Sequence, residues 1–166
     1  SGVDISSWAR TQGAERFNVT IEARLEPGAE DLDAITFFQS LEHMPDAPEA
    51  LARAAARLRP GGHVIIETWD RHSLVARVTG AHWQQVTPPS VVYLFGRPSL
   101  SRALANAGLE LLEWRPFAKR VSLGQVAGLI GSRYPALRPA LRPLRDQRIG
   151  VNYRLRDLVT VIAQKR

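Results

Sequence analysis

At 166 residues the chain has the length of one domain and can bury a core. Its 45% hydrophobic and 23% charged residues are an ordinary water-soluble balance, and no apolar run approaches the roughly 18 residues of a membrane span. The lack of cysteine excludes disulfide, zinc–thiolate and thiol chemistry and fits a cytoplasmic protein. The net charge of +6 is unevenly spread: residues 1–70 carry six arginines against twelve carboxylates, and residues 71–166 carry sixteen basic side chains against four acidic ones. The basic half is expected to be mainly a solvated face; an anionic substrate or a membrane surface are the functional readings. No nucleic-acid recognition motif is visible, so no nucleic-acid partner is expected. The chain opens on Ser1 and has its single methionine at Met44, so its start is expected to have been lost.

In chain order, Gly2-Val3-Asp4-Ile5 reads as the end of a buried strand, with Ser6 or Ser7 capping a helix that runs to about Arg16. Val19 to Ala23 is a short β-branched strand, and Pro27 to Asp31 a loop. An apolar strand (Ala34 to Phe38) then enters a polar turn and an alanine-rich helix (Pro48 to Leu58). The helix stops at Arg59-Pro60-Gly61-Gly62, a glycine turn, and the strand His63 to Thr68 follows. This is a βαβ unit of a parallel sheet, in which ligands bind at the carboxyl ends of the strands. Asp70 to Gly96 is long and irregular, rich in histidine, tryptophan and proline. Pro98 to Ala107 is a helix closed by Gly108, and Leu109 to Arg115 a strand.

Val121 to Gly131 reads as helix and Tyr134 to Arg148 as a proline-interrupted, arginine-studded helical hairpin. Arg138, Arg142, Arg145 and Arg148 recur every three or four residues, and Leu137, Leu141 and Leu144 form an apolar stripe. Core packing of that stripe under a solvated arginine face is expected, with a lipid surface as the alternative. Leu158 to Ala163 is a final apolar strand. The pattern is α/β, with helices on both faces of the sheet and one domain over residues 1–166. Residues 69–97 form an acceptor-side segment, and 116–156 a helical insertion before the last strand.

The stretches "GVDIS", "DAITFFQSLEHMPD", "LRPGGHVIIET" and "ETWDRHSLVARVTGAHW" together resemble class I S-adenosylmethionine-dependent methyltransferases. The likeness is strongest to small-molecule enzymes related to the ubiquinone-pathway O-methyltransferases. It implies a Rossmann-like sheet, S-adenosylmethionine as cofactor and a small-molecule acceptor. Asp4 falls where the family's acidic residue accepts from both ribose hydroxyls, with Ile5 beside it. Ala23, Arg24 and Leu25 fall on the adenine side, where many relatives carry an Asp that this chain lacks. Gln39, Ser40 and Leu41 fall beside the methionine part.

In the ubiquinone-pathway enzymes a Glu-x-x-Glu-His stretch at this place is associated with a divalent metal. Here Gln39 replaces the first carboxylate, and an amide oxygen is a poor substitute on a hard cation. Glu42 and His43 are therefore expected to cap the next helix or pair with each other, and no metal is expected. The likeness marks Trp69, His82, Trp83, Tyr93 and Phe95 as acceptor-side residues. His72 and His43 are candidate bases, needed only if the acceptor must lose a proton. The family histidine of the "PPSVVYLF" passage falls on Val91.

The family's first strand and glycine-rich loop have no counterpart among these residues. Gly124 to Gly131 has spaced glycines in a helical context, which reads as small-residue packing. The leading expectation is S-adenosylmethionine-dependent methyl transfer to a small molecule. One alternative is a catalytically inactive methyltransferase-like binding module whose basic C-terminal half docks on an anionic partner. Another is a different nucleotide-dependent α/β enzyme, such as a dehydrogenase.

Overall fold

The computed structural model of the chain describes every residue except 25–30, 118, 146–148 and 154–155, and the side chains of 119–121, 129, 132–133, 145 and 151–153 are likewise not described. A short strand, β1 (Gly2–Val3), leads into helix α1 (Ser7–Phe17), which Ser6 caps by accepting from the Ala9 N–H. After α1 the chain returns as β2 (Ile21–Glu22), parallel to β1. These two strands form a sheet of their own.

The larger sheet is built from β3 (Leu32–Phe38), β4 (Leu58–Trp69), β5 (Leu109–Pro116) and β8 (Leu158–Lys165), in the order β3-β4-β8-β5. The βαβ unit read from the sequence is present: β3 and β4 pair in parallel, joined through a 3₁₀ turn (Leu41–His43) and helix α2 (Ala47–Arg57). The cap of α2 is Asp46, whose Oδ1 accepts from the Glu49 N–H. The last strand, β8, inserts between β4 and β5 and runs antiparallel to both. Its unbroken buried run, Leu158 to Val161 with Thr160 the one hydroxyl, follows from that central position, because both edges are paired.

The expected turn at Pro60-Gly61-Gly62 lies inside β4 as a bulge. Leu32 pairs with Leu58, yet Ala34 already pairs with His63. Gly61 has φ of +78°, and a Cβ on Gly62 would stand 2.9 Å from the Leu32 carbonyl oxygen. Side chains of β8 satisfy the exposed carbonyls: Gln164 Nε2 donates to Gly61 O and Lys165 Nζ to Leu58 O.

The core lies on one face of this sheet. Phe37, Val64, Ile66, Val161 and Ala163 share that face by register and pack on Leu51, Ala54 and Ala55 of α2 and on Leu100 and Leu104 of α4 (Arg97–Asn106). The segment read as irregular contains one more helix, α3 (Leu74–Thr79), capped by Ser73 and followed by a 3₁₀ turn (Gly80–His82).

Between β5 and β8 the chain makes an excursion: β6 (Lys119–Ser122), α5 (Leu123–Arg133), a 3₁₀ turn (Pro135–Leu137), α6 (Arg138–Arg145) and β7 (Gly150–Tyr153). The expected helical hairpin is there, with Pro143 accommodated inside α6, but an antiparallel β6–β7 pair at its base was not expected. Of the leucine stripe, Leu141 and Leu144 are half-buried, whereas Leu137 is 46% exposed, so the core reading holds for only part of it. Arg138 and Arg142 are exposed; the Arg145 side chain and Arg148 lie outside what is described.

Candidate cofactor and acceptor site

Asp4 stands at the carboxyl end of β1, where its N–H extends the pairing with β2 by donating to Glu22 O. Its Oδ1 accepts from the Ser6 N–H at 2.8 Å, and Arg10 Nη1 donates to the carbonyls of Asp4 and Ile5. The turn is thereby fixed before any ligand arrives. Among the described residues the second carboxylate oxygen has no protein partner, so the exposed Asp4 retains capacity to accept from a diol.

Across from it, Gln39 closes β3 with φ of +48° and donates its N–H to Glu67 O. A cleft of about 620 Å³ separates the small sheet from the edge of β3. Ile5, Ala23 and Arg24 line one side, and Ser40, with Thr36 and Ala34 of β3, the other. The expected cofactor residues Ile5, Ala23, Arg24 and Ser40 thus meet on one cavity, with Asp4 and Gln39 beside its lining. Leu25 lies outside the described residues. Leu41 is corrected in part: its side chain is fully buried in the core and does not line the cleft, which leaves only its backbone for the expected contact.

This arrangement fits S-adenosylmethionine on the ribose side, through the free carboxylate oxygen of Asp4 and the open volume beside Ile5 and Ser40. The fit does not extend to a metal. Glu42 is buried, its Oε2 accepting from Thr68 Oγ1 at 3.2 Å, while the exposed His43 directs Nδ1 to Ser90 O at 2.6 Å. The two side chains therefore serve different partners. Neither caps α2, a role Asp46 holds, and no hydrogen bond joins them, which corrects the sequence expectation. Burial pushes the Glu42 carboxyl above its ordinary value, opposed by its hydrogen bonds and by His43. Among the described residues, no group of three His, Cys, Asp or Glu could hold a metal ion.

The segment 69–97, expected on the acceptor side, is clamped across the carboxyl ends of β3 and β4. The Glu42 carbonyl accepts from both the Val92 and Tyr93 N–H groups, Tyr93 Oη donates to Pro45 O, and the Arg71 N–H donates to Phe95 O. Tyr93 and Phe95 stack with centroids 5.5 Å apart. Trp69 is half-buried on the last residue of β4, opposite Leu158. Trp83 and Phe95 are 4% and 6% exposed; they support the wall from inside and offer no open surface to an acceptor, which corrects their expected contact role. His72 is exposed and packs so closely on Gly96 that a Cβ there would lie 2.6 Å from its ring. His82 is exposed too.

Sequence reading missed Thr68 and Asp157, both 1% exposed. Thr68 was detectable: it is the hydroxyl at the next inward position after Val64 and Ile66, and a buried hydroxyl needs a partner. Asp157 gives no such signal.

Solved structures share the fold at low identity. A methyltransferase described as SAM-dependent from Archaeoglobus fulgidus superposes with a TM-score of 0.61 at 15% identity, covering 99% of this chain and 75% of that one. The [4+2]-cyclase SpnF gives 0.62 at 18%, covering 99% and 64%. The fold is that of the class I S-adenosylmethionine-dependent methyltransferases. Residues 1–113 match the methyltransferase domain family, and the chain belongs to that family. Among curated relatives, the ubiquinone biosynthesis O-methyltransferase of Cupriavidus pinatubonensis is 38% identical over 100 residues, 56% of this chain and 39% of the relative. That of Hahella chejuensis is 31% identical over 138 residues, 76% and 56% respectively. The chain spans about half the length of the curated relatives it matches.

Proposed function

We propose that this chain forms part of a protein that binds S-adenosylmethionine and directs its methyl group to a small-molecule acceptor, a hydroxyl being the acceptor group that the O-methyltransferase relatives support. The observation carrying the reading is the convergence of Ile5, Ala23 and Arg24 from one sheet with Ser40 from the other on a single cleft, beside the free oxygen of Asp4.

The cofactor supplies a methyl group on a sulfonium, which leaves by in-line displacement. The protein's part is to hold donor and acceptor in line, and such positioning accounts for most of the attainable acceleration. In this reading Asp4 accepts from the ribose diol, Ile5, Ala23 and Arg24 flank adenine, and Gln39 and Ser40 meet the methionine portion. Trp69 and Tyr93 present the acceptor wall.

His43 is the first candidate base in this reading. Its Nδ1 lies 2.6 Å from Ser90 O, which fits an Nδ1–H donor and keeps Nε2 clear of that contact. His72 remains a second candidate. A general base contributes roughly 10²–10⁴-fold. His43→Gln should lower the methyl-transfer rate by that order and leave cofactor affinity intact. An unchanged rate would remove His43 from the reaction. The inactive-module alternative has no specific observation in its favour.

A further inference from the structure

We propose that the tip of the basic excursion, where α5 meets α6, docks on a membrane surface rich in anionic lipid. This goes beyond the transfer reaction and depends on different residues. Residues 116–156 carry nine Lys and Arg against one acidic residue, Asp146. The helices α5 and α6 pack on each other: Leu141 lies against Gly131, and Arg138 Nε donates to Gly131 O.

That packing turns other apolar residues outward. Ile130, Tyr134 and Leu137 are 38%, 58% and 46% exposed. They follow at successive turns, since the Tyr134 N–H donates to Ile130 O and the Leu137 N–H to Tyr134 O. Pro135 and Ala136 complete an exposed apolar tip, bordered by the exposed Arg138 and Arg142.

Cations around an apolar point, with a tyrosine between them, match the boundary between phosphate headgroups and acyl chains. A nucleic acid would meet the charges but gives no place to insert Leu137. A small anionic ligand would need a concavity, and the end of a two-helix hairpin is convex. The sequence alone favoured burial of Leu137; its observed exposure is what shifts the balance.

Co-sedimentation with vesicles tests this on the intact protein. Phosphatidylcholine vesicles doped with phosphatidylglycerol should retain it, and pure phosphatidylcholine vesicles should not. Raising salt should release it. Tyr134→Ala combined with Leu137→Ala should lower binding at least about tenfold, and Arg142→Glu at least about fivefold. Melting temperatures of both variants should match the parent, since these side chains face solvent. Equal retention on neutral vesicles, no retention on anionic ones, or retention unaffected by both variants would overturn the proposal. So would loss of vesicle binding in variants that have unfolded, if a second pair, Tyr134→Ser with Leu137→Ser, keeps the fold and binds like the parent. Binding to single-stranded RNA but not to vesicles would replace the lipid surface with nucleic acid. None of these readouts depends on S-adenosylmethionine affinity.

Discussion

Glu42 shows how one side chain can carry two jobs. Its backbone carbonyl holds Val92 and Tyr93, and its carboxyl is buried against Thr68. Burial raises its pKa, so the folded state binds a proton more tightly than the unfolded one. The stabilising contribution is therefore fully present below the ordinary glutamate range and is lost as pH rises through the raised value. Urea melts across that window should show parent stability falling relative to Glu42→Gln; parallel curves would contradict the assignment. Asp4 is the other decisive residue. Its free oxygen is expected to accept from the ribose, and a charge-assisted hydrogen bond is worth about 1.5–3 kcal/mol. Truncation to alanine should therefore weaken S-adenosylmethionine roughly ten- to hundred-fold by calorimetry.

Elements with strong periodicity and punctuation were legible. Phe37 and Leu51 sat in patterns that a strand and an amphipathic helix satisfy, and β3, α2 and the second half of β4 emerged as read. Two kinds of element were not. The six-residue helix α3 is too short to show a period, and Ser73 as its cap was hidden among the histidines of an irregular segment. The strands β6 and β7 have four residues each and owe their pairing to the hairpin between them rather than to alternation. Leu41 misled for a related reason: a site assigned by position says nothing of rotation, and a 3₁₀ turn decides which way the side chain points. The glycine pair before the second half of β4 was read rightly as a backbone requirement, and the bulge supplies the reason. Gly62→Ala would press a methyl on the Leu32 and Arg59 carbonyls, at 2.9 and 3.0 Å. Denaturant unfolding should show a loss of about 1–3 kcal/mol; an unperturbed midpoint would mean the bulge can relax.

At the scale of the molecule, the carboxyl ends of β1 and β3 face each other across the cleft, each in a separate sheet. The family resemblance puts a parallel strand and a glycine-rich turn in that position; among the described residues no strand joins the two sheets. Asp4, Gln39 and Ser40 then offer two or three hydrogen bonds worth about 1 kcal/mol each, too little to offset several kcal/mol of lost translational and rotational freedom. In this reading the described residues supply one side of a cofactor site, with the turn at Asp4 held by Ser6 and Arg10.

The most direct measurement is calorimetric titration of S-adenosylmethionine into three proteins: Ser1–Arg166 alone, the same chain preceded by a family strand and glycine-rich loop, and the extended chain with Asp4→Ala. The extended chain should bind at micromolar concentration, its Asp4→Ala variant roughly ten- to hundred-fold more weakly, and the bare chain not measurably in that range. Micromolar binding by the bare chain, or equal affinity of the extended protein and its Asp4→Ala variant, would contradict the placement of the cofactor between the two sheets.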